Sequence, residues 1–318
     1  MCLDLLEQVF RPTYRKRIES IDTAYDKFIY YTSATTGLEI LKKQEIWMRS
    51  VSCMNDYREI EYGVSLFQMA FQDCDRRSRF EEILKICMGT NYTIERMMNE
   101  LVIGREYLRN TVFITCVSEM EKRENADAYD KENKLGRLSM WRAYGRDTGV
   151  ALVLKSKALF SNKFSGLNIS PVEYLTQEEF TRKIDEILEN VESHRPELTN
   201  VPLDVLGRYF VETILFAIIS IKHPGFEEER EWRIVLHVPQ VPGFLKKDSE
   251  SIDGTPQTIY KIPLAGDMIS IPKLVDHVII GPTYYPDTIK NVFIDELDHI
   301  GFRAADERVI ASNIPLRS

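Results

Sequence analysis

The sequence predicts an α+β fold, a mixed β-sheet with a helical insertion, within a single domain over residues 1–318. Three observations predict it. Runs of aromatic and β-branched residues, DKFIYYTS at 26–33, TVFITCV at 111–117 and EWRIVLHV at 231–238, have the composition and alternation of strands. The stretch 57–109 is charged with apolar residues at helical spacing, which marks an insertion of helices. Strands and helices then follow one another irregularly, with no βαβ rhythm and no internal repeat.

Residues 1–25 read as a lead-in with a short helix broken at Pro12. After the strand at 26–33, a helix over 34–43 buries Leu38 and Leu41, with Ser33 and Thr35 as N-cap candidates. A second strand covers 45–49, followed by a loop holding Asn55 and Asp56. In the insertion, Leu66, Met69 and Ala70 form one apolar face, Phe80, Ile83, Leu84 and Cys87 another, and Met97, Met98, Leu101 and Val102 a third. The charged segment 119–134 reads as a mobile loop, and 138–144 as a short helix leading through Gly145 into a strand at 149–154. A strand at 169–175, an amphipathic helix at 176–193, and a helix at 203–222 that is apolar nearly all round come next. Beyond 229–238 the sequence predicts a polar loop at 249–256, strands at 258–262 and 275–280, and a final helix at 287–300.

Composition bounds the function. A net charge of -8 with 44% hydrophobic and 28% charged residues describes a globular protein without a broadly basic surface. Arg76, Arg77 and Arg79 with Lys85 form a local basic patch suited to nucleic acid. The 5 cysteines are scattered, without a CxxC pair or a His at ligand spacing, which predicts reduced thiols, no structural metal and a cytoplasmic location. The longest apolar run, 213–221, is about half the length that crosses a bilayer, so no membrane partner is expected.

Four places hold polar or aromatic residues that a structural element alone does not require. In the first strand Tyr30 and Thr32 share a face, with Tyr31 opposite; a cross-strand aromatic pair accounts for them equally well. The second is WMRSVSCMNDYRE at 47–59, with Arg49 and the Asn55-Asp56 turn signal. In SMWRAYG at 139–145, Trp141 and Tyr144 are neighbours on a helix, able to plug a core or wall a pocket for a planar ring. The fourth is GFEEEREWRIVLHV at 225–238. If Glu229 opens a strand, Glu229, Glu231 and Arg233 share one face and Trp232, Ile234 and Leu236 anchor the other; a solvated edge of weak ion pairs is the plain alternative.

In this order the fragments YYTS with TGLEILKKQEIW, NDYREIE, MWRAYGRDTGVALVL and EREWRIV, followed by IIGP at 279–282 and SNIPLR at 312–317, resemble the bacterial family DUF2971 from about Tyr30 to the C-terminus. More distantly the chain resembles the ADP-ribosyltransferase superfamily. That resemblance implies a split mixed β-sheet, NAD as substrate and no metal. It also implies a macromolecular acceptor, nucleic acid or protein, and a toxin or phage-defence setting in which an antitoxin holds the protein in check. The superfamily's first-strand His falls on Tyr30, and its Glu-x-Glu on Glu229 and Glu231.

The resemblance implies a role for each residue. Glu231 is the catalytic carboxylate, stabilising the oxocarbenium-like state formed as nicotinamide leaves. Glu229 orients the acceptor or serves as its base. Arg233 pairs with Glu229 or contacts the diphosphate. Tyr30, Tyr31, Thr32, Trp141 and Tyr144 hold the dinucleotide, with Arg49 and Asn55 as lesser contacts to phosphate or acceptor. Two other readings stand beside it: a non-catalytic nucleotide-sensing module that meets a partner through 57–109, and a metal-assisted nuclease using Glu229, Glu231 and Asp56.

Overall fold

A computed structural model describes residues 2–315 apart from 54–56, 146, 239, 253 and 267; among these, side chains are left undescribed at 2, 57, 58, 102–106 and 109. The chain divides into two compact units, each assembled from three separated stretches. The first comprises 1–20, 51–111 and 170–227; the second comprises 21–50, 112–169 and 228–318.

The second unit is built on a mixed sheet. Among its strands are β1 (Lys27–Ser33), β2 (Glu45–Ser50), β3 (Val112–Glu119), β4 (Gly149–Lys155), β5 (Glu231–His237), β6 (Lys246–Ile252), β7 (Thr255–Pro263), β8 (Val275–Ile280) and β9 (Val309–Ala311). Along the sheet the order is β9-β8-β4-β1-β3-β2-β7-β6, with β5 also paired to β3. Only β8 and β9 run parallel among these ladders.

β3 is the strand on which the arrangement turns. Its ladder with β5 is continuous, from Val112 opposite His237 to Ser118 opposite Glu231. β1 is in register with β3 only at Ser118 and Glu119, and β2 only at Phe113 and Ile114. The two strands therefore meet opposite ends of β3, with Thr115 to Val117 between them, and the sheet is split at that point.

The faces of this sheet are assigned by register, since directly opposed residues share a side. Phe28, Tyr30 and Thr32 lie on the side of Leu154, Leu152 and Val150. The helix Ala34–Lys43 covers that side closely: a Cβ at Gly37 would come within 2.6 Å of the Val150 side chain. Trp232, 0% exposed, belongs to the same side, packed edge-on against Phe28 and Phe160 with ring centroids 5.5 and 5.7 Å away. Its indole N–H donates to Glu119 Oε2 at 2.8 Å. The other side carries Ile29, Tyr31, Ala151 and Val153, buried against Met120, Met140 and Trp141.

The first unit is helical: Cys2–Phe10, Pro12–Glu19, Tyr57–Ala70, Cys74–Met88, Ile94–Thr111, Gln177–Ser193 and Leu203–Ile219, with a two-residue parallel pair of Glu173–Tyr174 and Ile221–Lys222. Its core is aromatic. Phe67 lies 4.8 Å from Phe180, Phe71 is 4.5 Å from Phe80, and Phe10 is 5.8 Å from Phe210, ring to ring. Thr176 opens its helix with a full capping box shared with Glu179.

Several expectations are corrected. The charged stretch at 119–134 contains a helix, Ala126–Leu135, rather than only a loop. The stretch at 249–256, expected as a polar loop, is mostly strand: Ser249 to Ile252 end β6 and pair antiparallel with Thr255 to Thr258 of β7. Met69, expected inward, is 43% exposed. The basic cluster is neutralised: Arg76 grips Asp185 through two bonds at 2.7 and 3.1 Å, Arg79 grips Glu192 at 2.8 and 3.0 Å, Lys85 meets Glu82 at 2.6 Å, and Arg77 pairs with Glu95.

Candidate active site

The candidate site lies in the second unit, on the face of the sheet opposite Trp232. Register across β3 decides which residues reach it. Ile114, Cys116 and Ser118 alternate onto one face of β3, opposed by Arg49 in β2 and by Val235, Arg233 and Glu231 in β5. Ile29 also opposes Ser118, so Ile29 and, two residues on, Tyr31 share this face. Arg49, Arg233, Glu231 and Tyr31 are thus brought to one side. Tyr30 and Thr32 point to the other.

Glu231 is 6% exposed and Arg233 3%, so neither opens to bulk solvent. Arg233 Nε donates to Glu231 Oε1 at 2.7 Å, two residues along the same strand. Arg49 Nε donates to Gln257 Oε1 at 3.0 Å. Glu229 departs from its predicted place: the chain from Pro224 to Glu229 is a 3-10 turn, Arg230 follows with φ of 44°, and the strand begins only at Glu231. A left-handed residue between the two glutamates breaks the alternation that would have aligned them. Arg233 pairs with Glu231.

The start of β5 is fixed by a residue that the sequence did not single out. Arg137 Nη1 donates to Ser118 Oγ at 2.9 Å and to the Glu228 carbonyl, while Nη2 donates to the Glu119 carbonyl at 3.1 Å and pairs with Glu132. Ser118 Oγ in turn donates to the Glu229 carbonyl at 2.5 Å. One guanidinium therefore ties β3 to the turn before β5. Arg137 also donates its backbone N–H to the Tyr31 hydroxyl at 2.9 Å. Only its place just before the Trp-x-x-Tyr fragment, after Gly136, hinted at it.

Of the aromatic candidates, Tyr31 and Trp141 meet edge to face at 4.9 Å. Trp141 is 3% exposed and donates Nε1 to the Leu135 carbonyl at 2.8 Å. A Cβ at Gly281 would lie 2.7 Å from Trp141 Cε3, so the indole is sealed on that side and plugs the core. Tyr144 packs against the same cluster but is only half-buried, so it is the ring of the pair that reaches the surface. Burial raises the Tyr31 phenol well above the usual phenol range, with the Glu132 charge adding to the shift. Burial raises Tyr30 as well, against a hydrogen bond with Thr115. Both hydroxyls are neutral at pH 7. Asn55 and Asp56 lie outside the described residues.

Residues 140–234 match DUF2971, a family of proteins of unknown function. The DUF2971 match takes in Trp141, Tyr144, Glu229, Glu231 and Arg233, whereas Tyr30, Tyr31, Thr32 and Arg49 fall before it. It contains β4 and the first half of β5, the strand that carries the buried Glu231–Arg233 pair. No curated protein and no solved structure matches the chain. Among the described residues no helix is long and apolar enough to cross a membrane, and no three His, Cys, Asp or Glu side chains gather to hold a metal ion.

Proposed function

We propose that the protein is an ADP-ribosyltransferase-like enzyme that moves ADP-ribose from NAD to a nucleic acid or protein. The observation that supports this reading is the buried Glu231 carboxylate, held by Arg233 at 2.7 Å on a sheet face shared with Arg49 and Tyr31. Shielded from water, a preorganised carboxylate acts on developing positive charge far more strongly than an exposed one. In the proposed reaction the bond from the nicotinamide nitrogen to ribose C1′ breaks and its electron pair leaves with neutral nicotinamide. Glu231 stabilises the oxocarbenium-like centre. An acceptor oxygen or nitrogen then bonds to C1′, and its proton passes to Glu229, the half-buried carboxylate in the preceding turn. Arg49 is assigned to the diphosphate and Tyr144 to the nicotinamide ring. Tyr31, whose hydroxyl accepts from Arg137, holds the wall behind them.

The test is incubation of the protein with NAD labelled in its adenylate portion and a cell extract. Label is expected in a macromolecular fraction, and Glu231→Gln is expected to reduce transfer about 10²- to 10³-fold while the circular dichroism spectrum is unchanged. Equal transfer by folded Glu231→Gln would remove Glu231 from the chemistry. NAD binding without transfer would make the site a sensor, and metal-dependent shortening of RNA without NAD would make it a nuclease.

A further inference from the structure

The helical unit contains a pocket of about 130 Å³ that the proposed chemistry does not use. Two helices each give it one stripe at helical spacing: Phe210, Thr213, Ile214 and Ala217 from Leu203–Ile219, and Phe180, Lys183, Ile184 and Ile187 from Gln177–Ser193. Phe10, Phe67 and Phe80 close the apolar walls. The room exists because Thr213 and Ala217 are small side chains on a stripe otherwise filled by Phe and Ile.

Two features show what fits there. First, cavities of about 150 Å³ lined by Leu, Ile and Phe accept benzene, so this volume suits one six-membered ring. Second, the wall is not purely apolar. Thr213 Oγ1 and Ser220 Oγ are both buried and make no hydrogen bond in the described structure, and Ser220 is only 6% exposed. A helical threonine ordinarily returns its hydroxyl to a carbonyl one turn back. A buried hydroxyl left unmatched is costly, which selects an occupant that supplies a partner. The charges at the wall balance, Arg11 and Lys183 against Glu173 and Glu186, and Lys183 is engaged with Glu173 at 3.0 Å and with Thr13 at 2.7 Å, so the lining favours an occupant without net charge.

We propose that this pocket binds a small neutral aromatic molecule bearing one hydroxyl or amino group, its ring among the phenylalanines and its polar atom on one of the two hydroxyls, Thr213 or Ser220, which the helix holds about two turns apart. The probes are p-cresol and toluene, which differ by one hydroxyl, titrated into the full chain by calorimetry. p-Cresol is expected to bind about fivefold to tenfold more tightly than toluene. Thr213→Val with Ser220→Ala is expected to erase that preference while toluene binding persists, and Ala217→Phe is expected to abolish both. Should Ala217→Phe fail to fold, nuclear Overhauser contacts from the bound p-cresol ring to the Ala217 and Ile214 methyl groups locate the ligand instead. Absence of binding at the solubility limit, equal affinity of the two probes, or contacts elsewhere on the protein would overturn the proposal.

Discussion

Arg233 and Glu231 sit two residues apart on one strand with Nε and Oε1 separated by 2.7 Å, and both side chains are withdrawn from solvent. Taking two charges out of water is expensive, and the mutual attraction offsets that cost only while both are present. Arg233→Met is therefore expected to destabilise the protein by about 3–5 kcal/mol, read from urea unfolding. The double variant with Glu231→Gln, which removes the stranded charge, should be more stable than Arg233→Met alone. Simple additivity of the two substitutions would show that the pair is not coupled.

Arg137 should behave as a positioning residue. Its fork reaches Ser118, Glu132 and two backbone carbonyls at once, which a lysine ammonium cannot do. Arg137→Lys is expected to cost about 1.5–3 kcal/mol. It should also lower any NAD-dependent transfer through turnover rather than through KM, because it loosens the start of β5 without touching the proposed dinucleotide. A changed KM with unchanged stability would point to direct contact instead.

Asp276 predicts an acid limb in the stability curve. His277 Nδ1 lies 3.0 Å from its Oδ2 and Lys27 Nζ 2.7 Å away, and these contacts hold the carboxyl well below its ordinary range despite partial burial. A group whose folded pKa is depressed binds its proton more readily when unfolded. Its stabilisation is thus present above about pH 4, the unfolded value, and is lost as the pH falls toward the folded one. Asp276→Asn should lower stability at pH 7 by about 1.5–3 kcal/mol, and the difference should start to shrink below about pH 4 and keep narrowing as the pH falls further. A constant difference across that range would rule out the linkage.

The thiols should separate by accessibility. Cys87 is 0% exposed, and burial pushes its pKa up to about 12, whereas Cys74 lies at the surface. Because the thiolate is the reactive form, a disulfide reagent at pH 8 is expected to modify Cys74 quickly and Cys87 only on unfolding. Peptide mapping after a short exposure distinguishes them.

Trp141 gives a packing test. Since an added Cβ at Gly281 would approach Cε3 to 2.7 Å, Gly281→Ala is expected to cost about 1–3 kcal/mol and to shift the indole emission. An unchanged melting temperature would mean that the ring yields readily.

Much of this architecture was legible in the sequence where the pattern was strong. The strand at 26–33, the helix that follows it with Ser33 accepting from the Thr36 amide, and the apolar wedge of Trp232, Ile234 and Leu236 are all present. What was missed has local causes. The hairpin β6–β7 has a largely exposed first strand, so Lys246 to Ile252 lacks the apolar alternation that announces a strand. Arg230 adopts a positive φ without being glycine, so nothing in its identity warned that Glu229 would fall out of step with Glu231. The resemblance puts the His position on Tyr30, with Tyr31 as a further contact to the dinucleotide. Alternation alone says that the two face opposite ways; which of them faces Glu231 depends on the pairing of Ile29 with Ser118 and Ser118 with Glu231, which only the fold supplies.

The interleaving of the two units has a practical corollary for dissecting the protein. Because the polypeptide passes back and forth between them, no single pair of cut sites releases either one whole. The segment 140–234, although it is the part that matches DUF2971, would carry β4 away from β1 and β8 and half of β5 away from β3. Deletion mapping by truncation would therefore report misfolding at nearly every boundary, and point substitutions are the appropriate instrument for assigning roles in this chain.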